Sequence, residues 1–97
     1  MEKIPTLHWA TAAVVRRLRR RAGLSQGQLA GLAGLSEDYI SGMERGIQCG
    51  SLTAIMHIAS ALRMGAAELV HLIEAEMAAG PRPPGRRAGK PPRREGE

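Results

Sequence analysis

The chain has 97 residues, a formal net charge of +5, one cysteine (Cys49), and only Trp9 and Tyr39 as aromatic side chains. That length allows one small domain, and a single thiol excludes an internal disulfide and a thiolate zinc cluster. With no Phe and no β-branched or aromatic runs at period two, the core must be aliphatic and helical rather than a sheet. The apolar runs are far too short for a membrane span. Residues 1–10, MEKIPTLHWA, lack the apolar core of a secretory signal, so a cytoplasmic location is expected. Residues 80–97 hold six basic and two acidic side chains, a net +4, whereas residues 1–79 hold eight and seven, a net +1. The basic balance therefore belongs to the C-terminal segment and is a poor argument about the domain itself.

In chain order, residues 1–9 read as a short arm, with Pro5 breaking any helix and Thr6 or Thr11 as a cap. A first helix is expected over residues 11–22, with Val14, Val15, Leu18 and Ala22 at helical spacing and Gly23 as its stop. A second is expected over 25–33. Ser25 and Gln28 form an S-x-x-Q capping box there, and Leu29, Ala30, Leu32 and Ala33 are its core candidates. Gly34 stands where the chain must leave that helix through the left-handed region. A third helix is expected over 36–45, with Ser36 as N-cap, Ile40 and Met43 facing inward and Gly46 as its stop. A fourth begins after Ser51 with the stripe Leu52, Ile55, Ile58, Ala59 and Leu62. A fifth covers about 66–78 with Leu69, Leu72, Ile73 and Met77. The Pro/Gly/Arg-rich segment 80–97 cannot bury enough surface to offset its ordering entropy, so it reads as a disordered basic tail. The expected architecture is all-α: a compact five-helix bundle over residues 10–79, between the arm and the tail.

Two short, separately capped helices joined at Gly34 have the geometry of a helix-turn-helix, whose second helix can enter a DNA major groove. Phosphate contacts position such a protein and base-edge contacts specify its site. The phosphate candidates are Ser25, Gln26, Ser36 and Arg45, with the amides around Gly46 and Ile47. The base-reading candidates are Glu37, Asp38, Tyr39, Ser41 and Gly42, which alternate around the helix with inward Ile40 and Met43.

These residues resemble a known family. VVRRLR, GLSQGQLAGLAGL, YISGMERG and SLTAIMHIASAL, in this order and spacing, resemble the lambda-repressor-like domains of phage repressors and Cro, the Xre-type class. YISGMERG also resembles the controller proteins of restriction–modification systems. The resemblance implies a bacterial or phage origin, double-stranded DNA as ligand and a homodimer. It further implies that Gln26 bonds a phosphate and braces the recognition helix, that Ala30 permits close approach of helices 2 and 3, and that Arg19 pairs with Glu44. Arg63 falls where the family often has glycine, which predicts a left-handed backbone there.

The chain departs from the family at the reading positions. Glu37 and Asp38 are carboxylates, which repel phosphate and whose natural base partner is the cytosine amino group. Gly42 offers no reading side chain. Acidic residues in a first turn also offset the helix dipole, a role that needs no DNA. The expected function is a sequence-specific, dimeric DNA-binding transcriptional regulator without cofactor. The alternative is an antitoxin-like or anti-repressor module that acts through a protein partner. A weaker reading is non-specific nucleic-acid binding through the tail. His8, His57 and His71 are far apart, so a metal site is not expected. No nucleophile stands with a base on rigid elements, so neither is catalysis.

Overall fold

The computed structural model describes residues 4–80. Its elements are α1 (Pro5–Arg21), α2 (Gln26–Ala33), α3 (Glu37–Glu44), α4 (Leu52–Ala61) and α5 (Ala66–Ala79), and no strand occurs among the described residues. The expected tail, 80–97, lies outside them except for Gly80.

Local chemistry sets most helix ends. Ser25 Oγ accepts from the Gln28 N–H at 3.0 Å and Gln28 Oε1 accepts from the Ser25 N–H at 2.8 Å, completing the capping box. Ser36 and Ser51 each accept from the backbone N–H three residues on, Tyr39 and Ala54 respectively. Gly34 leaves α2 at φ 70°, and the next amide, Leu35, closes on the Ala30 carbonyl at 2.9 Å. Arg63 lies at φ 62°, the left-handed position expected for it.

Of the expected arm, residues 5–9 belong to the first helix. Helix α1 starts at Pro5, because a proline at the first helical position gives up only an N–H that the helix would leave unpaired, and its fixed φ suits the turn. The extra turn carries Leu7 and Trp9 onto the core.

The core holds Ala10, Val14 and Val15 of α1, Leu29, Ala30 and Ala33 of α2, Ile40 and Met43 of α3, Ile55, Ile58 and Ala59 of α4, and Leu69 and Ile73 of α5. Helix α1 packs on α5 and α3, and α2 packs on α3 and α4. Three expected core residues face solvent instead: Ala22, Leu32 (63% exposed) and Leu52 (72% exposed). On α2 the buried arc is centred between Leu29 and Ala30, so Leu32 points roughly 110° away from its centre. Leu52 opens α4 beyond the edge of the core, and Ala22 is the C-cap of α1.

Two substitutions test this packing. Ala30→Leu overpacks the α2 face that meets α3 and α4, and should cost about 1–3 kcal/mol in urea unfolding; wild-type stability would contradict the close approach. Arg63→Gly relieves the left-handed cost and should raise stability by about 1 kcal/mol with an unchanged m-value. A loss would mean that the Arg63 side chain contributes more than its backbone costs.

Candidate nucleic-acid interface

Five arginines crowd the second half of α1, and burial separates one of them from the rest. Arg19 is drawn inward beside Leu18, its side chain 10% exposed, and meets a Glu44 side chain 2% exposed. The contact is bidentate: Nε donates to Oε2 at 2.6 Å and Nη2 to Oε1 at 2.9 Å. Its remaining nitrogen, Nη1, donates to the Leu24 carbonyl at 2.8 Å, so the same guanidinium also holds the α1–α2 turn. Gln26, at the first position of α2, donates Nε2 to Glu44 Oε1 at 3.1 Å. Arg16 adds a hydrogen bond to the Glu44 backbone carbonyl, and its Nε lies 3.8 Å from Oε1. The last residue of α3 is thus tied to α1 and to the start of α2.

The electrostatics come from this geometry. Burial pushes the Glu44 carboxyl up, but hydrogen bonds from Arg19 and Gln26 and the charges of Arg19 and Arg16 outweigh it, leaving the group below its ordinary value. The hydrogen bond to Glu44 outweighs burial at Arg19 and raises its pKa.

With its inner face fixed, α3 turns its other side outward. On a wheel of about 100° per residue, Asp38 and Gly42 stand roughly opposite the inward Ile40, Met43 and Glu44. Glu37 and Asp38 are exposed and Ser41 is half-buried. The Glu37 carboxylate lies over the first turn of α2, its Oε1 3.3 Å from where a Cβ on Gly27 would stand. The Glu37 side chain thus reaches back from the start of α3 to the first turn of α2, while Gln26 of that same turn meets Glu44 at the other end of α3. Arg45 is exposed as the C-cap of α3, at the same end as Glu44.

Two reading candidates have other engagements. The Tyr39 hydroxyl accepts from the Ser51 N–H at 3.0 Å, forming a strut from α3 to the cap of α4. Gly42 is buried although it faces outward, because the side chain of Gln48 lies across it. Sequence reasoning passes over Arg16 and Gln48, since neither a second α1 arginine reaching α3 nor the path of the α3–α4 loop has a local signature. Cys49 sits in that loop; burial raises its thiol pKa, against the hydrogen bond with Thr11 that lowers it, so it stays a poor nucleophile. No group of three or more potential metal ligands occurs among the described residues, and no helix among them is long and apolar enough to cross a membrane.

The chain belongs to the helix-turn-helix domain family, which matches residues 11–72. Among solved structures it is similar to the restriction–modification controller protein C.AhdI from Aeromonas hydrophila, with 40% identity and a TM-score of 0.62 over 64% of this chain and 94% of that one. It is also similar to the clp gene regulator ClgR from Corynebacterium glutamicum, with 26% identity and a TM-score of 0.70 over 81% and 82% of the two chains. The wild-type controller protein C.Esp1396I, 23% identical with a TM-score of 0.69 over 80% of this chain and 99% of that one, shares the fold. No curated protein matches the sequence.

The Glu44 hub makes a stability prediction with a defined sign. Glu44→Ala strands the buried Arg19 and should cost about 3–5 kcal/mol in urea unfolding. Because the carboxyl is depressed in the folded state, its contribution is complete above the unfolded carboxyl range and disappears as pH falls through the folded value. Wild-type stability should therefore drop more steeply on acidification than that of Glu44→Gln. Parallel acid limbs would contradict the assignment.

Proposed function

We propose that the protein is a sequence-specific DNA-binding transcriptional regulator, acting as a cytoplasmic homodimer without cofactor or catalytic activity. The observation that carries this reading is the division of α3 into a locked inner face and an outward face presenting Asp38 and Ser41, with the exposed Glu37 at its edge beside α2. A half-buried recognition helix needs that arrangement to enter a major groove. Membership of the helix-turn-helix family supports it, as do the controller and gene-regulator relatives. In this reading Ser25, Gln26, Ser36 and Arg45 meet phosphates, with the amides near Gly46 and Ile47, while Asp38 and Glu37 accept hydrogen bonds from cytosine amino groups. Tyr39 acts chiefly through its strut to Ser51.

Dimerisation would place two α3 helices about 34 Å apart on one DNA face. The apolar surface available for it lies on α5 and α4. Ile73 is buried and Met77 packs on the core, leaving Val70 exposed on α5, with Leu52 and Met56 exposed one turn apart on α4. The basic tail, outside the described residues, would add phosphate contacts that raise affinity with little specificity.

The acidic outward face supports a second reading, a module that binds a protein partner through α3. One experiment separates the two. Randomised-duplex selection with the full chain and with residues 1–79, at near-physiological salt, should return the same roughly palindromic motif from both, with a shallower salt dependence for the shorter chain. The absence of a motif from either would favour the protein-partner reading. Enrichment without a motif, lost with the tail, would reduce the function to electrostatic binding.

A further inference from the structure

We infer that Gln48, a residue of the loop after α3, supplies the base-reading side chain that Gly42 lacks, and that its carboxamide recognises an adenine edge. The inference rests on the DNA-binding reading above.

Gly42 occupies the centre of the outward face, one turn beyond Asp38, where a recognition helix would ordinarily project a long side chain. It has none, yet it is buried. The cover is Gln48, whose Nε2 lies 3.1 Å, and Cγ 3.8 Å, from where a Cβ on residue 42 would stand. The missing Cβ leaves room for the stem of Gln48 to lie against the helix backbone. A loop side chain is thereby placed at a helix reading position.

The loop on either side of Gln48 is fixed. Before it, the Ile47 N–H donates to the Gly42 carbonyl at 2.9 Å. After it, Gly50 lies at φ 87° with Met43 Cε and Sδ and the Tyr39 hydroxyl 3.1–3.3 Å from its Cβ position, so only glycine fits there. One residue further on, the Ser51 N–H donates to that same hydroxyl. All of these anchors belong to α3, so Gln48 moves with the helix rather than with a free loop. Such positioning is what a reading side chain requires.

The chemistry of the group agrees. Gln48 is half-buried, and its carboxamide makes no hydrogen bond among the described residues. One acceptor and two donors therefore stand unused beside Asp38 and Ser41 on the same face. Neither polar atom of the amide is buried, so both remain open to a ligand. A carboxamide pairs with adenine in a bidentate manner, accepting from N6 and donating to N7.

The test is randomised-duplex selection followed by affinity measurement with full-length wild type, Gln48→Ala and Gly42→Ala. Alanine at 42 brings a Cβ into the space of the Gln48 amide, the far end of a flexible side chain, and raises helix propensity, so the domain stays folded. Wild type should select a motif with adenine at one position in each half-site. Gln48→Ala should lose roughly 5- to 100-fold discrimination at that position and leave the other positions unchanged. Gly42→Ala should weaken the same position. A motif that Gln48→Ala reproduces at every position overturns the inference and leaves the DNA-binding reading intact, as does a uniform loss across all sequences. No motif from wild type overturns both.

Discussion

The position of α3 depends on one carboxylate. Glu44 collects a bidentate guanidinium from Arg19, the carboxamide of Gln26 and the approach of Arg16, so three side chains from two helices converge on the end of the third. Burying such an ion pair stabilises little by itself, because desolvation consumes most of the Coulombic gain. Its effect is geometric. Arg19 is itself held in place by the Leu24 carbonyl, so a rotation of α3 would pull Glu44 away from a fixed guanidinium on α1 and from Gln26 on α2 together. The hub adds directional contacts to the apolar anchoring that the fully buried Ile40 and Met43 give this eight-residue helix.

The rest of the structure divides around that hub. Ile40 and Met43 press α3 onto the core, and the Tyr39 hydroxyl ties it to the start of α4. The outward half is left to Asp38 and Ser41, with Glu37 at its edge and Gln48 across Gly42. Charge is distributed in the same way. The first 79 residues are nearly neutral and place two carboxylates where a duplex would approach, while the final 18 carry a net +4. In the proposed function, affinity comes from phosphate contacts and the tail, and the acidic helix lowers affinity for any site that cannot donate to it.

How legible each element is in the sequence depends on how local its physics is. The caps at Ser25 and Ser36, the start of α4 after Ser51 and the turn at Gly34 depend on a few consecutive residues, and the sequence reveals them; the left-handed Arg63 follows from the family resemblance. Pro5 misleads because one residue type both stops a helix and starts one, and the residues C-terminal to it decide between the two. Leu32 and Leu52 read as core residues because apolar spacing does not say how wide the buried arc is or where the neighbouring helix ends. The pairing of Arg19 with Glu44 can be named through the family resemblance, but nothing local distinguishes Arg19 from Arg16, Arg17, Arg20 or Arg21 beyond its place next to Leu18. The contacts of Arg16 with Glu44, of Tyr39 with Ser51 and of Gln48 with Gly42 are tertiary, set by how α1 and the α3–α4 loop pass α3.

In the proposed function, the Glu44 hub holds α3 in the orientation that enters a major groove. The most direct measurement is a crystal structure of the full-length protein bound to a selected duplex. That structure should show the Asp38–Gly42 face of α3 against base edges, with Arg19 and Glu44 still paired at the separations seen without DNA. A complex with α3 turned away from the groove, or with Glu44 released from Arg19 so that the helix can rotate into it, would contradict the account.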